Sequence, residues 1–181
     1  MDILKTNDPK EFLAFAESCL DKDNGHEGLV IHVCEEPCVW TGQIPTLDEQ
    51  ECIRRGLTVC RGRYLGGSIV NMPGDLSLCL TTWGDSEQAP QWVDKLAAYL
   101  DRRGIAVTRD DNDVLADGKK VLSWARATTI DGWQQSVVHC SVGRMDLELV
   151  EAVCTKPMVK VPGSLVEYGI TADELLRELR L

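Results

Sequence analysis

Two aspartate–glycine pairs, Asp117-Gly118 and Asp131-Gly132, constrain this chain more than any other feature. Asp-Gly is a favoured two-residue connection between antiparallel strands, because both central positions of that turn take a positive φ. The runs on either side, 114–116, 120–128 and 133–142, are rich in apolar and β-branched residues. They predict consecutive strands that fold back on one another.

Helical signals surround this block. Asp8, Pro9 and Glu11 mark a helix start as cap, first-turn proline and capping-box partner. Phe12, Phe15, Ala16, Cys19 and Leu20 then recur at helical spacing, and Asp23-Asn-Gly25 ends the run. Thr46 and Glu49 give the spacing of a second capping box, opening a short helix before Gly56. The longest helix is expected over 90–103, with Trp92, Val93, Leu96, Tyr99 and Leu100 as its apolar stripe and Gly104 past its end. Residues 146–153 and 171–179 read as short helices, and 29–34, 38–41, 57–60, 69–71, 76–83 and 105–107 as strands. Residues 156–163, with two prolines, read as a loop. No repeat or long linker divides the 181 residues, so one domain over 1–181 is expected. The fold class is α+β: a mixed, largely antiparallel sheet flanked by helices.

Charge narrows the partners. Nineteen Lys and Arg against 29 Asp and Glu give −10, a field that repels nucleic-acid backbones and anionic membrane surfaces. No apolar run approaches the roughly 20 residues of a membrane helix. The eight cysteines include no C-x-x-C pair, and residues 1–8 lack a basic-then-apolar leader. Free, mostly buried thiols in a cytoplasmic protein are expected. His26, His32, Cys34 and Cys38 match no standard zinc spacing, so no metal is expected.

Several residues are candidates for chemistry. Gly66 and Gly67 follow a strand and let backbone approach a ligand, with Arg61, Arg63 and Ser68 beside them to meet an anion. Lys120 begins a strand after the Asp117-Gly118 turn. Strict alternation places it on one face with Leu122 and Trp124, where its ammonium meets an anionic ligand while its stem lies on apolar neighbours. His139 stands inside an apolar strand. Cys154 ends an apolar helix, a position that does not by itself favour a thiolate.

In order along the chain these segments resemble the catalytic domain shared by lipoate–protein ligases, octanoyltransferases and biotin–protein ligases, over about residues 29–179. The segments are Glu36-Pro-Cys-Val-Trp-Thr-Gly42, Arg54-Arg-Gly-Leu-Thr-Val-Cys-Arg61, Gly66-Gly-Ser-Ile-Val70, Pro73-Gly-Asp-Leu76, Val138-His139 and Pro162-Gly-Ser-Leu165. The most specific is Asn112-Asp-Val-Leu-Ala-Asp-Gly-Lys-Lys-Val121.

The resemblance implies transfer of a lipoyl or octanoyl-type group to a lysine of a lipoyl-domain acceptor, with Lys120 as the essential lysine. Gly66, Gly67 and Ser68 match the loop over the acyl chain, and Asn112 and Asp113 the adenylate and Mg²⁺ region. Arg61, Arg63, Ser123 and His139 complete the expected substrate contacts, and Cys154 lies near the transferase cysteine. No tightly bound cofactor is implied; ATP with Mg²⁺, or an acyl-thioester, serves as co-substrate or donor. A monomer is expected, with Arg54, Arg55, Arg61 and Arg63 as a basic patch for an acidic acceptor. Leu65, Asn71-Met72, Val121-Leu122-Ser123 with the bulky Trp124 after it, and Cys140 depart from the family pattern, each adding a side chain near the ligand. They predict a shallow cleft with Trp124 or Met72 at its wall, or a relative that binds acyl groups or proteins without turnover.

Overall fold

The Asp117-Gly118 turn forms with φ of 47° and 80°, joining β8 (Asp113–Ala116) to β9 (Lys119–Thr128). The second pair differs. Gly132 alone takes a positive φ, its N–H donating to the Thr129 carbonyl at 3.1 Å, so a four-residue connection leads into β10 (Trp133–Cys140). The structure, a computed structural model, describes residues 1–21, 23–62 and 67–181.

Before this block come β1 (Asp2–Thr6), α1 (Pro9–Ser18), β2 (Gly28–Val33), β3 (Cys38–Thr41), α2 (Glu49–Arg54), β4 (Thr58–Arg61), β5 (Ser68–Asn71), β6 (Leu76–Trp83), α3 (Gln88–Arg102) and β7 (Val107–Asp110). After it come α4 (Leu147–Val153), a 3-10 turn (Leu165–Tyr168) and α5 (Ala172–Leu179). The strands make two sheets rather than one. Seven run in the order β1-β2-β6-β10-β9-β8-β7, antiparallel except for β1 and β2. Three run β4-β3-β5, with β3 parallel to β4 and antiparallel to β5.

The large sheet is buried on both faces at its centre. Leu76, Leu78 and Leu80 of β6, with Leu29 and Ile31 of β2 and Val138 and Cys140 of β10, pack with Trp92, Val93, Leu96 and Leu100 of α3 and Leu175 and Leu179 of α5. The alternate residues Val30, Cys79 and Val137 meet α1 and the small sheet through Phe12, Leu13, Ala16, Cys38, Trp40 and Cys60. A third cluster, Val39, Leu47, Cys52, Leu57 and Val153, covers the outer face of the small sheet with α2 and α4.

Helix starts follow the sequence in part. Asp8 caps α1 by accepting from the Lys10 N–H at 2.8 Å, but Glu11 accepts instead from the Thr6 hydroxyl. The cap of α2 is Asp48, which accepts from the Glu51 N–H at 3.0 Å. Glu49 is drawn away to Thr41 and Arg61, so no box closes on Thr46. Thr171 and Glu174 form the reciprocal box at α5.

Candidate functional site

A cleft of about 550 Å³ lies between the large sheet and β5, and Lys120 stands in it. Its floor follows from strand register. Opposite one another across β10 and β9 stand Gln135 and Ala127, Val137 and Ala125, and His139 and Ser123. Ser123 in turn faces Asp113 of β8. Residues opposite in register share a face, so the small side chains of Ala125 and Ala127 leave a trough where larger ones would fill it. Gln43, Gly67, Ser68 and Ile69 form the facing wall.

Lys120 reaches this face through a β-bulge. Val114 pairs with Leu122 but Leu115 pairs with Lys120, so β9 carries one extra residue and its alternation slips by one. Leu122 therefore enters the core with Val121 and does not share a face with Lys120, as strict alternation predicts. The backbone is fixed on its other edge: the Lys120 N–H donates to the Val161 carbonyl at 2.9 Å, and Gly163 donates to the Lys120 carbonyl at 2.8 Å.

The ammonium of Lys120 lies 3.0 Å from Asp113 Oδ1. Lys160 holds the other oxygen at 2.7 Å and reaches Asp110 at 2.9 Å; hydrogen bonds to these two carboxylates raise its pKa. One aspartate thus sits between two lysines. Deeper in the sheet, His139 Nδ1 is 3.0 Å from the Ser77 hydroxyl and Nε2 is 3.9 Å from Asp75. Burial, then Lys120 and His32, push the imidazole down to about 3. Burial pushes the Asp75 carboxyl up to about 7, although backbone N–H groups of Met72 and Gly143 bond it. The imidazole is therefore neutral, and the two groups do not form an ion pair. His32, Ser77, His139, Ser123 and Asp113 form one polar row across five strands.

Of the sequence candidates, Gly67, Ser68, Asp113, Lys120, Ser123 and His139 meet in this cleft; Trp124, between Ser123 and Ala125, turns its ring to the other face and packs against the α3 cluster, so it shares no face with Lys120. Met72 is buried and does not line it. Asn112 is exposed at the β7–β8 turn, its carbonyl accepting from the Trp124 N–H at 3.0 Å. Arg61 points to solvent and pairs with Glu49; Arg54 and Arg55 both pair with Glu51, so acids of α2 offset the expected basic patch. Arg63, Leu65 and Gly66 lie outside the described residues. Cys154 opens onto a separate cleft with Lys156, Pro157 and Met158, and burial followed by Glu151 raises its thiol pKa. Among the described residues no cluster of His, Cys, Asp and Glu is arranged to hold a metal ion. His32 instead packs between Phe12 and Trp40.

Sequence reasoning missed Lys160 and Gln135, both marked only by tertiary contact. Arg126 alternates with the floor residues and points to the other face of β9, its guanidinium 5.3 Å from the Trp124 ring and donating to the Ser86 carbonyl at 2.6 Å.

No protein-family model and no curated protein matches the sequence. Solved structures do match. Lipoate-protein ligase A bound with ATP superposes with a TM-score of 0.75 at 18% identity, over 98% of this chain and 81% of that one. The bi-partite lipoate protein ligase of Thermoplasma acidophilum, solved with its E2 lipoyl domain, gives 0.71 at 16% over 98% and 79%. The biotin protein ligase of Leishmania major, in complex with biotinyl-5-AMP, gives 0.57 at 10% over 99% and 72%. The chain has the fold of the lipoate- and biotin-ligase catalytic domain. Its likeness is greater to the two lipoate ligases than to the biotin ligase. No helix among the described residues is long and apolar enough to cross a membrane.

Proposed function

We propose that the chain activates a lipoate- or octanoate-type carboxylic acid and passes its acyl group to a lysine of a lipoyl-domain acceptor. The observation that carries this is Lys120 at the polar end of a trough floored by Ala125, Val137 and Ala127. A carboxylate set beside Lys120 leaves its chain along the apolar floor, and a fixed ammonium offsets charge that develops there during acyl transfer. Ser123 and neutral His139 add hydrogen-bonding groups that carry no charge of their own.

The position of Cys154 favours ATP with Mg²⁺ over a thioester donor. A thiol raised by burial, opening onto another cleft, is poorly placed to accept an acyl group beside Lys120. In the adenylate route the acid's carboxylate oxygen attacks the α-phosphorus and pyrophosphate leaves. The acceptor amine then attacks the carbonyl carbon, AMP leaves, and the amine's proton passes to solvent.

The test is to incubate the protein with apo-lipoyl domain and either lipoate with Mg-ATP or an octanoyl-thioester, then weigh the acceptor. Lipoate with Mg-ATP is expected to add one lipoyl mass. Lys120→Ala should slow this by about 100-fold or more, while Lys119→Ala, whose partner is the exposed Glu167, and Cys154→Ser should stay within about twofold. An unmodified acceptor under both conditions, or an active Lys120→Ala protein, sinks the proposal. Transfer from the thioester alone, lost in Cys154→Ser, reverses the choice of donor.

A further inference from the structure

A second cleft, of about 920 Å³, begins where the first ends, and Gln135, Ala127 and Thr128 line both. Beyond them it is lined by Leu20, Ile130, Trp83 and Trp133, the two indoles meeting edge to face at 5.1 Å. Trp83 and Ile130 are exposed. Gln135 does not swing freely at this junction. Its Nε2 donates to the Ala16 carbonyl at 2.9 Å and to the Thr81 hydroxyl at 3.2 Å. These bonds tie it to α1 on one side and to β6 on the other, and they make its amide nitrogen the group that faces the carbonyl.

We infer that Gln135 is the specificity-determining stop of the acyl trough: a pinned partition that limits chain length and keeps the tail out of the Trp83–Trp133 cleft. The inference rests on the acyl-site reading above. A methylene chain leaving Lys120 runs over Ala125 and Val137 and then meets a polar side chain that cannot give way without losing two hydrogen bonds. From His139 to Gln135 is four residues of β10, about 13 Å at the rise of an antiparallel strand. With about 1.25 Å of advance per bond, from a C–C length near 1.5 Å, that span holds about ten carbons. Past the partition Leu20, Ile130 and the two indoles offer apolar surface, with Glu17, Asp21 and Asp131 at the same cleft, so a chain let through lies on the indoles at an open, acidic rim.

The experiment is calorimetric titration of the full chain with saturated carboxylic acids of increasing length, alone and with the non-hydrolysable ATP analogue AMPPNP. In the wild type, affinity should rise about fourfold for each added methylene, the factor equivalent to burying one CH₂ group, and then stop near ten carbons. In Gln135→Ala the rise should continue for at least about four further carbons. Gln135→Met, which keeps the bulk but loses both hydrogen bonds, should extend the limit by at least about two carbons, because an unpinned side chain gives way. Removing Gln135 also breaks its bond to the Ala16 carbonyl of α1, so Ala127→Leu serves as a second variant, filling the junction from the neighbouring strand. It should shorten the limit by about two carbons. A folded Gln135→Ala protein with the wild-type limit, or an Ala127→Leu protein with no shorter one, overturns the partition while leaving the acyl site standing. Failure of the wild type to bind any acid overturns the acyl-site reading itself, and the partition with it.

Discussion

Asp75 and His139 pose a question of proton bookkeeping that the surrounding residues answer. Burial is the first cause of both shifts, raising the carboxyl from 3.8 to about 7 and lowering the imidazole from 6.5 to about 3. Between pH 3.8 and 6.5 the folded chain keeps its proton on Asp75, whereas the unfolded chain keeps it on His139. The counts match, so this pair adds no pH slope to stability in that window. Each single variant uncovers the other group. In Asp75→Asn only His139 remains; its folded pKa is depressed, so its contribution is full above 6.5 and lost as pH falls toward 3. In His139→Phe only Asp75 remains; its folded pKa is raised, so its contribution is full below 3.8 and lost as pH rises toward 7. Urea unfolding at several pH values should therefore show opposite slopes, each up to about 1.4 kcal/mol per pH unit. Parallel slopes in the two variants would disprove the exchange of protons.

At the scale of elements, the approach of two turns decides more than any one strand. Asp75 clamps the turn at Met72 and the chain at Gly143, accepting both N–H groups at 2.8 Å. A Cβ on Gly143 would stand 2.2 Å from the Pro73 carbonyl oxygen, a contact with backbone that a rotamer change cannot relieve. Gly143→Ala should cost about 3 kcal/mol, read as a lower urea midpoint at unchanged slope; a loss below about 1 kcal/mol would show that the turns part easily. The elements also show how far sequence carries. The hairpin at Asp117-Gly118, the stripe of α3 and the box of α5 are local patterns, and each forms. β1 carries no local signal, because its five residues, Asp2-Ile-Leu-Lys-Thr6, do not alternate polar and apolar and are mostly exposed; its pairing with β2 is parallel and needs α1 as the crossover. Lys120, Gly67 and Ser68 could be nominated by order alone, but the bulge that turns Lys120 into the cleft arises from pairing with β8. Lys160 and Gln135 owe their places to contacts 47 and 119 residues away in sequence, which no local pattern encodes.

Over the whole molecule, charge sets how partners arrive. The chain carries −10, and three of the arginines expected to form a basic patch are paired with Glu49 and Glu51. On the proposed function, an acidic acceptor domain therefore meets repulsion rather than steering. Raising salt from about 0.01 to about 0.1 M shortens the screening length from about 30 to about 10 Å, so the acceptor's KM should fall as salt rises, by about threefold or more, with kcat little changed. A KM that climbs with salt would reveal a basic docking patch.

The distribution of sulfur gives the molecule an internal clock. Seven of the eight free thiols are buried and only Cys154 is partly accessible, and the buried ones are shared among all three packed clusters and the residue that caps the end of α1, Cys19. A thiol-specific reagent can reach those seven only when the chain opens. Labelling resolved residue by residue by mass thus dates each opening. Simultaneous modification of Cys52, Cys79 and Cys140 would report a single cooperative event. Earlier modification of Cys52 would report that the small sheet and its helices detach while the seven-stranded sheet still holds.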